Sequence, residues 1–357
     1  MSDERPGEPG QGAAPTGPGR HGDDAERLPA PATAAGALGA ADPAEAAQPA
    51  GAGRASGDLR IALQFTGAGV VWGASFLFIA VGLEGLSPAQ IATGRTVFGA
   101  VTLAIIALIT RDRLPRAWRI WAHMTVVALT LCVFPYLLFG WAQQSVASGL
   151  ASVYNATTPL MTALMAGLVI RVERLTREQV LGLVVGLAGV LVIIAPWAGV
   201  DLRGGVVPQL ALLGATACYG FSLAYLRKFL RDTGLSGVML ALLNVGIAAV
   251  IMLALTPVIG ADPITLDIWI VGSIVLLGVF GTGLAYAWNQ NVVRAWGATR
   301  AATVTYISPV VGVALGIIVL GEVLVWNEPV GAVLIFVGIL LAQRRLRLPG
   351  RRRARLR

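Results

Sequence analysis

The sequence predicts an all-α polytopic membrane protein, with ten transmembrane helices in two inverted five-helix repeats. Three observations carry that prediction. First, the 357 residues are 56% apolar and only 13% charged, with a mean hydropathy of +0.73, whereas an ordinary soluble domain is about a quarter charged. Second, apolar runs long enough to cross a bilayer, ~20 residues for ~30 Å of hydrocarbon, follow one another from residue 59 to residue 343. Third, the second half of the chain repeats the first at an offset of about 150 residues.

Residues 1–58 are Pro, Gly and Ala with scattered charges, as in PGEPGQGAAPTGPGR, with no aromatic residue to bury. They read as a disordered cytoplasmic tail. Prolines and acids interrupt the segment throughout, so it lacks the unbroken apolar stretch of a secretory signal. The expected spans then run over 62–83, 88–109, 120–142, 148–170 and 179–197 in a first repeat, residues 59–197. A second repeat, residues 198–343, holds spans at 206–226, 237–259, 267–289, 299–320 and 328–343, and 344–357 form a basic cytoplasmic tail.

Basic residues are retained on the cytoplasmic side during insertion. With the N-terminus inside, the inner segments flanking the spans hold 22 Lys and Arg, and the outer loops hold Arg203 alone. Both termini are therefore expected in the cytoplasm, which requires an even number of spans.

A net charge of +8 raises nucleic acid as a partner, but the distribution argues against it. The terminal RRLRLPGRRRARLR has no aromatic residue to stack on a base. It suits a topology anchor that meets anionic lipid headgroups at ~1 kcal/mol per basic residue. Cys132 and Cys218 fall within apolar runs and form neither a CxxC pattern nor a disulfide framework. With only His21 and His123 besides, no metal site and no cofactor is implied.

Corresponding residues give the repeat its detail. WGAS at Trp72–Ser75 answers YGFS at Tyr219–Ser222, Arg95 answers Asn244, Tyr136 answers Tyr286, and Pro159 answers Pro309. After a one-residue slip Glu173 matches Glu322, and Gly182 and Gly189 match Gly331 and Gly338. A unit of five helices is odd, so the second copy enters the membrane from the opposite side and a tandem repeat becomes an inverted one.

The stretch GLASVYNATTPLMTALMAGLVIRVERLTREQVLGLVVGLAGVLVI, residues 149–193, resembles the core signature of EamA-type transporters of the drug/metabolite transporter superfamily. GATRAATVTYISPVVGVALGIIVLGEVLVWNEPVGAVLIFVGILLA, residues 297–342, resembles its second copy. The resemblance covers residues 60–343 and implies ten helices in two inverted units, commonly exporting amino acids or other small metabolites. One departure is Arg171-Val172-Glu173, where the family usually has Gly before Glu; Gly321-Glu322 keeps it. Small multidrug resistance antiporters rely on a carboxylate deep in the first helix. The corresponding VVWGASFLF has none, so proton coupling by that route is not expected.

Polar side chains in hydrocarbon need a partner or a wet cavity, so they point to the transport path. Arg95 lies seven residues past Pro88, about 10 Å into the second span at 1.5 Å per residue, where it suits a bidentate clamp for an anionic group. A structural alternative has it snorkelling outward or pairing with Glu84. A second set, Trp72, Ser75, Tyr136, Asn155, Tyr219, Asn244, Tyr286 and Tyr306, offers aromatic walls with a few amide and hydroxyl groups for a small amphipathic solute. Pro159 and Pro309 are candidate hinges inside the fourth and ninth spans.

The expected function is a secondary transporter of a small organic solute across the inner membrane by alternating access, most naturally exporting an amino acid or related metabolite. Export of drugs, nucleosides or sugars is the alternative. An integral-membrane enzyme would need a nucleophile–base cluster or carboxylate pair, and none is evident; a channel gives less reason for inverted repeats.

Overall fold

A computed structural model describes residues 53–172, 175–195, 197, 205–231 and 233–343. Most of the expected N-terminal tail, the basic tail 344–357 and Glu173 lie outside the described residues. Among the described residues the regular structure is all helix, with no strand. Its helices are α1 (Gly53–Gly82), α2 (Pro88–Ile109), α3 (Trp118–Ala142), α4 (Ser148–Asn155), α5 (Thr158–Leu164), α6 (Arg177–Ile194), α7 (Val207–Phe229), α8 (Gly237–Ile259), α9 (Ile268–Trp296), α10 (Ala302–Leu320) and α11 (Asn327–Ala342). Among the described residues, eight helices are long and apolar enough to cross a membrane; α4 with α5, and α11, fall below that length.

Three boundaries differ from expectation. Helix α1 begins at Gly53, so the last six residues assigned to the tail are helical. No proline follows Pro49 before the span, and nothing there stops helix from propagating back out of the apolar segment. Helix α9 runs seven residues past its expected end at 289, to Trp296, because its last two turns are amphipathic and continue after the apolar run has ended. The expected fourth span is broken between Asn155 and Thr158. Pro159 has no N–H for the Asn155 carbonyl, and the Thr158 hydroxyl donates to that oxygen at 2.7 Å instead. Pro159 thus stands in the first turn of helix beyond an irregular stretch, and Pro309 lies inside α10, just past its 3₁₀ start at Ala302–Tyr306.

The two halves pack through contacts that exchange into one another. Helix α6 meets α11, and α2 meets α8. The pair α1 with α10 is matched by α7 with α5, and α1 with α9 by α7 with α3. Glycines make the closest crossings. Gly73 faces Val311 and the Ser308 carbonyl, and its counterpart Gly220 faces Met161 and Thr162. Gly182 lies against Gly338 and Ala342, while Gly189 lies against Gly331 and Ile335. Rising numbers on α6 meet falling numbers on α11, so these corresponding helices run antiparallel. The same holds for α2 and α8, where Thr93 meets Thr256 and Ala107 shares a cluster with Val238. The glycine face of α6 is therefore spent on packing within the bundle.

A Cβ on Gly182 would stand 2.6 Å from the Ala342 nitrogen, in backbone that has no freedom to yield. Gly182→Val is expected to destabilise the fold by about 2 kcal/mol through overpacking. Gly272→Ala, with nothing within 4 Å of the new carbon, is the control and should melt no lower than the parent. Thermal unfolding of both in detergent checks the pair.

Candidate functional site

A cavity of about 450 Å³ runs up the middle of the bundle. Each helix around it contributes residues at helical spacing. Helix α1 presents Trp72, Ser75, Phe76 and Ile79, and α9 presents Tyr286, Asn289, Gln290 and Val293, both at i, i+3, i+4, i+7. Asn155, Thr158, Pro159, Thr162 and Ala166 form the α4–α5 wall, so the break in that helix leaves its inward face continuous.

In α3 the spacing carries a correction that periodicity alone misses. Met124, Val127 and Leu131 line the cavity, after which a regular helix would bring in Pro135. Tyr136 lines it instead. A π turn at Leu129–Val133 inserts one extra residue and moves the register by one. A second π turn, Val279–Leu284, stands at the matching place in α9, just before Tyr286. It leaves the Gly281 carbonyl available to the Trp72 indole N–H, 3.1 Å away. It also places Thr282, whose hydroxyl accepts from Arg95 Nε at 2.9 Å and donates back to the Leu277 carbonyl at 3.3 Å.

Arg95 is held at the closed end of the cavity. Its guanidinium carbon lies 3.9 Å from the Tyr136 ring centre, a cation–π contact. The ionisable groups around it are Tyr136, Tyr219, Tyr286 and Cys132. It neither reaches the outer surface nor pairs with Glu84, and among the described residues no carboxylate is its partner. Its two terminal nitrogens make no hydrogen bond to any described residue. Nearby, the Tyr136 hydroxyl and the Asn244 carbonyl oxygen are buried with no hydrogen-bond partner, both close to the Cys132 thiol but not bonded to it in good geometry. Trp72 packs edge-on against Tyr286 at 6.2 Å, and Phe139 stacks on Tyr219 at 6.0 Å.

The structure brings Arg95, Trp72, Ser75, Tyr136, Asn155, Tyr219, Asn244 and Tyr286 to one cavity, together with Pro159. Tyr306 and Pro309 are not among its lining residues. Tyr306 packs on Phe336 and donates to Gln343 at 2.6 Å. The cause is the 3₁₀ turn: at three residues per turn Ala302 and Thr305 share the inward face, and the next residue swings away. Ser75 spends its hydroxyl on the Val71 carbonyl at 2.9 Å, so it supplies shape more than a bond. Sequence reasoning passed over Gln179, Arg227, Gln290 and Gln343, which also line the cavity. Gln179, Arg227 and Gln343 lie near helix ends, where polar residues are ordinary.

Those residues mark the mouth, which opens at the end of the bundle that carries the basic loops. The opposite end is sealed by bonds between the two halves. Glu322 accepts the backbone N–H of Ser148 at 2.6 Å and of Gly149 at 2.9 Å, a carboxylate seated on the N-terminus of α4. The Gln90 amide donates to the carbonyls of Gly260 and Asp262 at 2.9 and 2.8 Å. Asn327 donates to the Ile193 carbonyl at 2.7 Å, and Thr265 N–H to Gly85. Beneath them Phe76 and Phe139 meet edge-on at 5.6 Å.

A model of the EamA-like transporter family matches residues 59–195 and again 207–343. The chain belongs to the EamA-like transporter family. This EamA-like protein is 29% identical over 285 residues to a probable terminal-alkyne amino-acid exporter of Streptantibioticus cattleyicolor, covering 80% of this chain and 93% of that one. It is 27% identical over 285 residues to a probable amino-acid metabolite efflux pump of Salmonella typhimurium, covering 76% and 91%. A solved crystal structure shares its fold at a TM-score of 0.57 and 18% identity, over 82% of this chain and 99% of the other. The EamA-like chain is thus a multi-pass membrane transporter of two repeats, and its cargo is a small molecule.

A cysteine placed at Asn155, with Cys132 and Cys218 replaced by Ala, should react with a membrane-impermeant thiol reagent from the side of the basic loops and be protected from the other. Glu322→Gln gives up the charge at the sealed end and should speed labelling from the protected side several-fold. Oriented vesicles labelled from each face separate the two outcomes.

Proposed function

We propose that this EamA-like protein is a secondary transporter that moves a small organic solute across the inner membrane by alternating access, with export of an amino acid or related metabolite as its direction and cargo. The observation that carries this reading is the cavity itself. It lies between two halves whose contacts exchange, is open at one end and sealed at the other, and holds one uncompensated guanidinium at its blind end. In this reading all ten helical stretches cross the bilayer, α4 with α5 as one broken crossing and α11 as a short one, and the halves form inverted repeats. The antiparallel run of α6 against α11 and of α2 against α8 supports the inversion. Both termini are cytoplasmic, by the distribution of basic residues, and the open mouth is then the cytoplasmic one, the face from which an exporter loads.

Arg95 engages a carboxylate of the cargo, and Trp72, Tyr136, Tyr219 and Tyr286 enclose its apolar body. Aromatic enclosure supplies affinity and the few polar points set orientation, in a volume that falls within the ~300–1,000 Å³ of small-molecule sites. The opposite state follows when the contacts at the sealed end part and their counterparts at the mouth form. Export is supported by the two amino-acid-related exporters among the relatives. A pore is disfavoured because the cavity ends blind at bonded backbone.

In proteoliposomes preloaded with unlabelled cargo, uptake of labelled cargo should accelerate, as counterflow through a carrier does and leakage through a pore does not. Arg95→Gln should lower that exchange at least about 100-fold, the equivalent of two charge-assisted hydrogen bonds. Arg95→Lys should restore only part of it, since an ammonium cannot make the bidentate contact. Normal exchange by Arg95→Gln would make Arg95 a structural residue.

A further inference from the structure

The two-fold correspondence of the site is nearly complete in shape and fails in charge. Trp72 and its counterpart Tyr219 both line the cavity, as do Tyr136 and its counterpart Tyr286, so each half contributes an aromatic pair at matching positions. The position occupied by Arg95 in the first half is held by Asn244 in the second. One member of this matched pair is a permanent cation with free donors, and the other is a neutral amide. The Asn244 side chain is 2% exposed and its carbonyl oxygen has no partner, while the Tyr136 hydroxyl, on a residue 4% exposed, also has none. Buried polar atoms in native proteins nearly always have partners, so two orphans beside an unpaired guanidinium mark where a ligand's polar groups belong.

The charges around the cavity decide what those groups are. Its lining includes Arg95 at the blind end and Arg227 near the mouth, and among the described residues no Asp or Glu. A buried guanidinium without a counter-charge is costly in a membrane and is stabilised when an anion comes to it. A cationic group on the cargo would meet no carboxylate, only the neutral Asn244 oxygen and the aromatic faces, under the repulsion of a nearby arginine. The Asn244 acceptor requires a donor, but an uncharged N–H or O–H satisfies it without the cost of stripping water from a second charge.

We infer that the cargo class is the small aromatic or apolar monocarboxylate carrying one uncharged hydrogen-bond donor beside the carboxylate, an N-acylated amino acid or a 2-hydroxy acid, and that a free amino group is dispensable. This rests on the transporter reading and narrows its cargo. The carboxylate is the counter-ion of Arg95, the adjacent donor bonds Asn244, and the apolar body lies between Trp72 and Tyr219. A zwitterionic amino acid enters as a weaker member of the same class.

The test is a matched series on one scaffold, measured by calorimetric titration of the full-length protein in lipid nanodiscs: phenylalanine, N-acetylphenylalanine, 3-phenyllactate, phenylpyruvate and phenylalaninamide. N-acetylphenylalanine and 3-phenyllactate are expected to bind at least as tightly as phenylalanine. Phenylpyruvate, which lacks the donor, should bind about 10-fold more weakly than phenyllactate, and phenylalaninamide about 100-fold more weakly or not at all. Asn244→Asp puts a carboxylate beside Arg95, where it repels an acid without an amino group and attracts an ammonium, and should reverse the order, favouring phenylalanine over phenyllactate. Binding of the amide as tight as that of the acids, no binding by any acid, or an unchanged order in Asn244→Asp would each overturn the inference. Counterflow in the same preparation keeps the two claims apart. Exchange of an uncharged or cationic solute leaves the carrier standing and removes the carboxylate, whereas tight binding of the acids without exchange keeps the carboxylate and removes the carrier.

Discussion

Water is missing from a bilayer core, so each backbone carbonyl or amide there must find its partner within the protein. Three departures from regular helix among the described residues are answered by a particular group. The carbonyl that Pro159 abandons is bonded by the neighbouring Thr158 hydroxyl, and the one released at Gly281 is bonded by the Trp72 indole. The N-terminus of α4 receives a carboxylate from the other half of the chain. These irregularities border the cavity, where other helices shield them. The same rule that makes the lipid-facing parts monotonous concentrates chemistry at the centre.

That concentration explains what could be foreseen. Composition and apolar run length located the helical segments to within a few residues apart from the start of α1 and the end of α9, because partition into hydrocarbon depends on totals and is insensitive to detail. The inward faces of α1 and α9 were legible through Trp72, Ser75, Tyr286 and Asn289, since polar and aromatic residues at i, i+3 and i+4 in an apolar helix have one economical place to go. Arg95 stood out for the same reason. What was hidden depends on local winding. Tyr306 is carried off the inward face by a 3₁₀ turn, and Tyr136 stays on it through a π turn, and neither departure leaves a mark in residue type at a spacing of 3.6. The glycines and threonine of Gly281-Thr282-Gly283 were a hint, being residues that ease backbone out of regular helix. The Glu322 contact was illegible because its partners are backbone amides 173 and 174 residues away.

The bundle divides its labour between symmetry and its breaking. Helix contacts and glycine crossings obey the exchange of halves. The charge at residue 95 does not obey it, and neither does the set of bonds closing one end. Under the proposed alternating access, exchangeable helix contacts would let the cavity turn toward either side with similar packing, while the charge at residue 95 would keep the bound molecule in one orientation. Geometry would then govern the motion and electrostatics the choice of cargo.

The paired π turns in α3 and α9 make the site's rotational setting a matter of local winding. Each is in effect a one-residue insertion, and rewinding it to regular helix with no residue lost would turn everything beyond by about 100°, the angle per residue of a regular helix. Tyr136 would leave the chamber and Pro135 would take its place, with no chamber residue itself altered. Recognition here therefore depends on what holds the extra winding in those turns, a dependence invisible to comparisons that tabulate only pocket side chains.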